Sequence, residues 1–544
     1  MNGLPSLMLP RRRFLKNLSL TAAVAAGLEP WAARAEAETK AGQVTVSIFN
    51  TTDLHGHILP TKTYEGVENV GGLARCATQI RQWRAEQPNG MLIDVGDVYQ
   101  GTPVSRASDG QVMIGLLNKL NYDAWVIGNH EFDWGFDTVA KSITASKMPV
   151  LASNAKVGGS WTNKLDKTHP MSRVAPYLIK EVAGFRIGIV GTVTPGLPAW
   201  LSPGLLKDFY AADPLVSVQY AIRKLKAEKV DAIILACHFG LKNIYGGKPA
   251  PDDFANRVNQ LTETCREIDV VIAGHTHKDF GNTTVNGIPY TQASYYGIHA
   301  GRVDLTFDTA TRKLVGKQVS TKLMDASVEP DAAVLSSCAR ELEAARTLMS
   351  TEIGEFTAPL PFKGAPGQPP AALLLITRSI RAALEKRGQP IDGVLHGLFI
   401  DDHDLAAGRK TIADMWEIIP YENRLATAEL SGAELVQVME EVFSGKYASH
   451  QLDGFRVTAE GAKTKIKVTA IQTADGRPVD PGKRYRIALN AYDAQSGGRR
   501  YGKLNEFCYQ KEANFTLHAS ESRDALIEYV TERKKISPGD LRPV

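Results

Sequence analysis

The chain has 544 residues, 43% of them hydrophobic, enough to bury a core and too many for one ordinary domain. Its 63 basic and 59 acidic residues leave a net charge of +4, and no run of Lys or Arg beyond the N-terminus forms a stripe for a phosphate backbone, so nucleic acid is excluded as the expected partner. Five cysteines, Cys76, Cys237, Cys265, Cys338 and Cys508, are scattered, odd in number and free of C-x-x-C spacing; they indicate neither a zinc knuckle nor a disulfide framework, and a single bridge stays open.

The first element is an address. Arg11-Arg12-Arg13-Phe14-Leu15-Lys16 fits the twin-arginine pattern R-R-x-F-L-K, and a mildly apolar stretch, Leu18 to Leu28, follows it. Ala33-Arg34-Ala35 and Ala35-Glu36-Ala37 then offer small-residue cleavage sites. Residues 1–35 read as a signal peptide handled by the twin-arginine export machinery, with a basic amphipathic helix that stays on the protein as the alternative. The apolar stretch is too short to span a bilayer, so the expectation is an exported, periplasmic protein with no stable membrane anchor.

From Val44 to about Leu305 short apolar runs alternate with amphipathic helical stretches, the pattern of a layered α/β domain. The runs include Val44–Phe49, Met91–Val95, Ala124–Ile127, Pro149–Ala152, Arg186–Val190, Asp231–Ala236 and Val270–Ala273, several of them rich in Val and Ile as buried strands are. Pro330 to Ser350 reads as one exposed connecting helix with Leu335, Leu342 and Leu348 on its apolar side. Beyond it, Ala372–Arg387 and Gly432–Phe443 read as helices and Lys465–Ile471 and Arg484–Asn490 as strands, with Gly364–Pro370 a loop among them. The division is therefore a first domain at 42–326, a linker at 327–352 and a second, smaller α/β domain at 353–544.

Five of the apolar runs end in residue types that bind metals: Asp53-Leu54-His55, Gly96-Asp97, Gly128-Asn129-His130-Glu131, Cys237-His238 and Gly274-His275-Thr276-His277. Loops at the carboxyl ends of strands form the ligand site of α/β sheets, so these clusters are expected to converge. Carboxylates, an amide oxygen and imidazoles without thiolate suit Mn²⁺, Zn²⁺, Fe or Co²⁺ and do not separate them. His57 reads as a turn residue, His299 as structural, Glu131 as orienting its loop and Cys237 as a packed thiol.

The ordered series D-L-H, G-D, G-N-H-E, C-H and G-H-T-H resembles the five-block signature of the calcineurin-like metallophosphoesterases. The strings GNHEFDWG, Gly71–Arg75 and Tyr296–Leu305 resemble their 5′-nucleotidase and 2′,3′-cyclic phosphodiesterase branch. That resemblance implies a four-layer β-sandwich flanked by helices, a mixed α/β fold, with two divalent metal ions between its loops. It implies that Asp53, His55 and His277 hold one ion, that Asn129, His238 and His275 hold the other, and that Asp97 bridges them. His130 and Asp133 become the catalytic pair, and the substrate a small phosphate ester, a nucleotide by the family's habit.

The C-terminal half keeps the family's frame over Ala407–Val438 but not its substrate residues. His396-Gly397-Leu398-Phe399-Ile400-Asp401-Asp402 stands where the family has G-G-I-R, and Leu425 where a stacking ring is often found. Asn490 and Tyr492 resemble the family's Asn-x-Phe, so Tyr492 is a candidate base-stacking ring, and Arg499 or Arg500 a candidate phosphate clamp. Half a base sandwich implies weak binding of AMP, or a preference for another small phosphate ester. Two other functions fit the same frame: the exported thiosulfohydrolase of sulfur oxidation, and a periplasmic binding protein without turnover.

Overall fold

The strands form because apolar residues occupy both of their faces. In Gln43–Thr51, Val46 and Ile48 point to one core and Phe49 to another, and in Gly90–Asp94, Met91 and Ile93 alternate in the same way with Leu92. Ile187 and Ile189, Ile234 and Ala236, and Ile272 share the core of Val46 and Ile48. Their neighbours Val190, Leu235 and Val271 face a third cluster. Strands apolar on both faces must be covered on both, and here they are.

In this computed structural model the described residues are 42–542 except 243, 246, 247, 250–252, 365–368, 400–402, 446–449 and 462–464. The twin-arginine string, the signal peptide, Ile400–Asp402 and the centre of the 364–370 loop therefore lie outside the described residues. Among the described residues no helix is long and apolar enough to cross a membrane.

A seven-stranded sheet runs in the order Leu314–Leu323, His299–Asp308, β1 (Gln43–Thr51), β2 (Gly90–Asp94), β3 (Ala124–Val126), Val150–Leu151, Val174–Ala175. A six-stranded sheet runs Tyr177–Val182, Phe185–Val193, β4 (Ala232–His238), β5 (Val270–Ala273), Ile288–Ala293, Asp279–Val285. The two share one core, while helices such as Leu73–Glu86 and Pro214–Ala227 cover their outer faces. Helix, sheet, sheet and helix make the four layers. β1, β2 and β3 pair in parallel, as do β4 and β5, so within each sheet the motif-bearing carboxyl ends lie at one edge.

Strands before Leu323 and after Glu352 share no sheet among the described residues. The later part has a five-stranded sheet, order Gln451–Asp453, Gly393–His396, Arg484–Asn490, Arg424–Ser431, Thr516–Glu521, with helices Ala371–Lys386 and Gly432–Ser444 beside it. Ser431 and Glu434 form a capping box that starts the second helix directly after its strand.

The connecting segment departs from the single helix expected of it. It is two helices, Ala332–Ser337 and Ala339–Met349, broken at Cys338, whose backbone leaves the helical region at φ −126° and ψ 18°. Ser336, Ser337 and Cys338 are weak helix formers, and the buried Cys338 thiol donates back to the Val334 carbonyl. Leu335 and Leu342 pack on the core behind the first sheet, whereas Leu348 stays 47% exposed.

Ile234 is fully buried where the two sheets meet. Ile234→Ala is expected to lower the unfolding free energy by about 2–5 kcal/mol, since the pocket is closed by strands that relax little. Urea unfolding at fixed metal concentration measures it; a loss under 1 kcal/mol would mean that the sheets do not pack through this residue.

Candidate metal centre

Five side chains of the centre leave a backbone of unusual conformation. Asp53, His55, Asp97, His275 and His277 all have positive φ, between 46° and 75°. For residues with a Cβ that region costs on the order of 1 kcal/mol each. The turn it produces just past a strand end swings each side chain back over the end of the sheet. Glycine makes the remaining room: a Cβ on Gly128 would overlap Asp97 Oδ1, and one on Gly274 would overlap the Thr52 hydroxyl.

The side chains converge. Donor atoms of Asp53, His55, Asp97 and His277 all lie within 4.8 Å of one another, as do those of Asp97, His238 and His275, so Asp97 belongs to both groups. His55 Nε2 is 3.0 Å from His277 Nε2 and 3.7 Å from Asp97 Oδ2, and His277 Nε2 is 3.3 Å from Asp53 Oδ1. His238 Nε2 is 2.9 Å from Asp97 Oδ2, yet neither atom has a hydrogen-bond partner of acceptable geometry, and neither does the buried Oδ1 of Asn129. Buried polar atoms without partners are rare and costly. Asp97 Oδ2 and His238 Nε2 point at shared space and not at each other, and lone pairs about 3 Å apart match neighbouring ligands on one cation with bonds near 2.1 Å. The donor set fits divalent cations.

The opposite edges of the rings are also held. His238 Nδ1 donates to the Val95 carbonyl at 2.6 Å, and His277 Nδ1 faces the Tyr64 hydroxyl at 2.8 Å. Asp53 accepts the Thr52 hydroxyl at 2.6 Å and the His275 backbone N–H at 3.0 Å. Glu131 accepts three backbone N–H groups, from Gly128 at 2.6 Å, Val98 at 2.7 Å and Asp97 at 3.1 Å, and so ties two of the five loops together. His57 bonds its own turn at Leu54 and stacks on Tyr296, His299 sits 3.6 Å from Asp279, and Cys237 is a buried free thiol.

Burial and charge divide the imidazoles. Burial lowers His55 and His275 to about 3 against the pull of Asp97 and Asp53, leaving both neutral with a lone pair to offer. Burial also opposes charge on His238, but Asp97 beside it raises that ring to about 9. Asp97 is in turn held well below the carboxylate range, where burial alone would raise it. Proton and cation compete here for the same lone pairs. His130 Nδ1 lies 2.7 Å from Asp133 Oδ2, and although burial works against its charge, Asp133 and Asp97 lift it to about 10.

Comparison with known proteins now has a site to attach to. Residues 46–279 match the family model for calcineurin-like phosphoesterases, and residues 375–506 that for the C-terminal domain of 5′-nucleotidases. The chain belongs to the 5′-nucleotidase family of calcineurin-like phosphoesterases. It is 26% identical to a 2′,3′-cyclic-nucleotide 2′-phosphodiesterase/3′-nucleotidase of Haemophilus influenzae, over 96% of this chain and 89% of that one. It is 24% identical to the trifunctional nucleotide phosphoesterase protein YfkN of Bacillus subtilis, over 92% of this chain and only 39% of that relative's length. A 5′-nucleotidase precursor of Thermus thermophilus shares the fold, with a TM-score of 0.65 at 23% identity over 91% of this chain and 97% of that one.

The residues singled out in the C-terminal half divide between the core and the surface. Leu425 is fully buried in the core and presents nothing to a ligand. Tyr421 is 52% accessible, with its ring 5.6 Å from that of Phe399, and the Pro420-Tyr421 pair in the sequence marks an exposed aromatic that reading of the motifs passed over. On the catalytic side the Tyr296 ring is 5.7 Å from His55. Asn490 turns inward: its amide caps Asp493, accepting from the N–H at 2.7 Å and donating to the carboxylate at 2.6 Å, which positions the half-buried Tyr492. Arg499 lies 3.9 Å over Phe254, which packs on Trp200, which packs on His275. Arg500 donates to the Gly497 carbonyl at 2.6 Å and flanks the Tyr492 ring.

The crowding at Gly128 yields a test. Gly128→Ala is expected to displace Asp97 and to cut metal content by about one ion per chain while the protein stays folded, measured by elemental analysis after gel filtration; unchanged metal content would show that this contact does not shape the centre.

Proposed function

We propose that the chain is a dinuclear metal hydrolase of phosphate esters, acting on nucleotides as a 5′-nucleotidase, a 2′,3′-cyclic phosphodiesterase or both. The observation that carries this reading is the shared Asp97, which belongs to two donor groups and keeps an unpaired buried oxygen. In this reading Asp53, His55 and His277 would hold one ion and Asn129, His238 and His275 the other, with Asp97 serving both. Bound there, two divalent cations polarise a phosphoryl oxygen and lower the pKa of an attacking water. The Asp133 carboxylate keeps the proton of His130 on Nδ1 and favours the charged ring, so that Nε2 can give a proton to the leaving oxygen or stabilise charge on the phosphoryl group. Tyr421 and Tyr492 then take a nucleobase, each contributing about 1–3 kcal/mol of stacking. Arg499 or Arg500 supplies positive charge in place of the absent G-G-I-R arginine. The parts are a catalytic domain at 42–326, a linker at 327–352 and a substrate domain at 353–544, behind a twin-arginine signal at 1–35 that directs the protein to the periplasm.

The reading is tested on purified mature protein with nucleotide, cyclic-nucleotide, sugar-phosphate and thiosulfonate substrates, each with Mn²⁺, Zn²⁺ and Co²⁺. Turnover of thiosulfonate alone would turn the assignment to the thiosulfohydrolase, and tight metal binding without any turnover would turn it to a binding protein.

Asp97→Ala is expected to abolish turnover and leave at most one ion per chain, because one carboxylate partly neutralises two mutually repelling cations. His130→Ala is expected to lower kcat by about 10²–10⁴ with metal content unchanged, and loss of an ion in that variant would make His130 a ligand. With the exposed Tyr421 as a second ring, the half sandwich and weak AMP binding expected from the sequence give way: kcat/KM for AMP is expected to exceed that for a simple aryl phosphate and to fall about five- to a hundredfold in Tyr421→Ala. Equal values for both substrates in wild type and variant would remove the base site from this account.

A further inference from the structure

The strongest unexplained feature is a row of buried polar groups that begins at His55 and ends in the helix Ser522–Arg533. His55 Nδ1, on the side away from the centre, lies 2.9 Å from the backbone oxygen of Gln100 and 3.1 Å from its side-chain Oε1. Two carbonyl oxygens facing one ring nitrogen require that nitrogen to carry the proton. The lone pair is then left on Nε2, the atom that faces His277 and Asp97.

The amide of Gln100 could present either end to the ring, and a second partner decides which. Its Nε2 donates to Glu422 Oε2 at 2.6 Å. Reversing the amide would set its oxygen against that carboxylate and its N–H₂ against the imidazole N–H. Glu422 is pinned in turn: Arg523 donates to its Oε1 at 2.6 Å and to the Ile419 carbonyl at 3.2 Å, while the guanidinium lies 3.3 Å over the Trp416 ring. The Glu422 side chain is wholly buried and that of Arg523 is 2% exposed. A buried ion pair is a poor means of stabilising a fold, since apolar residues of the same volume usually serve as well. An ion pair whose free oxygen holds a third group, and through it the ring of a metal-ligand candidate, has a different use.

We propose that Glu422, held by Arg523, is a positioning residue for His55: its carboxylate orients the Gln100 amide and so sets the tautomer and direction of the lone pair that His55 offers to a cation. The proposal rests on the reading of His55 as a metal ligand. It makes the C-terminal part of the chain a supplier of the metal centre's support as well as of substrate contacts.

The test uses the full mature chain and two near-isosteric variants, E422Q and Q100M. Q100M leaves the Glu422–Arg523 pair intact and carries the test alone if E422Q fails to fold. Mn²⁺ titration is expected to show one of two sites weakened about 10–100-fold in each variant, with no further loss in the double variant, because both act through one ring. The imidazole ¹⁵N shifts of His55 are expected to report a protonated Nδ1 in the wild type and mixed tautomers in the variants. kcat is expected to fall while KM changes little. Folded variants that bind two Mn²⁺ ions with wild-type affinity and keep the His55 tautomer would overturn the proposal. A His55→Ala control separates the two levels: if the wild type takes up no Mn²⁺, or His55→Ala keeps both ions, the ligand reading itself has failed and the relay falls with it.

Discussion

Asp97 is buried among imidazoles, and most of the neighbouring structure follows from keeping it there. Its backbone N–H is taken by Glu131, its Oδ1 receives the His130 N–H at 2.8 Å, and its Oδ2 is left for whatever His238 and His55 also face. A carboxylate without water is tolerable only where positive charge surrounds it. Gly128 gives it room, and Glu131 draws its own loop and that of Asp97 onto one anchor. Remove the charge at this point and the convergence of two sheets on one edge has no chemical purpose.

The centre was legible in the sequence because parallel strands carry information at their ends. Five apolar runs each terminated in Asp, Asn or His, and the sheet topology that brings such ends together is a general one. The spacing could not show that Asp53, His55, Asp97, His275 and His277 reach their positions through left-handed turns, since Asp and His are merely tolerated there.

The sequence was less informative where function depends on which face a residue takes. Leu425 and Tyr421 are four positions apart, one inside the core and one half exposed, and only the start of the strand at Arg424 distinguishes them. The connecting helix broke because three weak helix formers coincide with a buried thiol, a tertiary effect that periodicity does not register. Gln100 and Glu422 meet across 322 positions of chain, and nothing local to either residue announces the pairing.

The five cysteines have a consequence for how the chain would meet an oxidant. All are free and buried, and loss of solvent lifts the thiols of Cys76 and Cys508 to about 12 and raises those of Cys237, Cys265 and Cys338 as well. Disulfide exchange needs an exposed thiolate, so the folded protein offers an oxidant nothing to attack. The unfolded chain would offer all five, an odd number that allows no complete pairing. Redox safety is thus a property of the fold and not of the composition, and it is secured only when folding comes before oxidation.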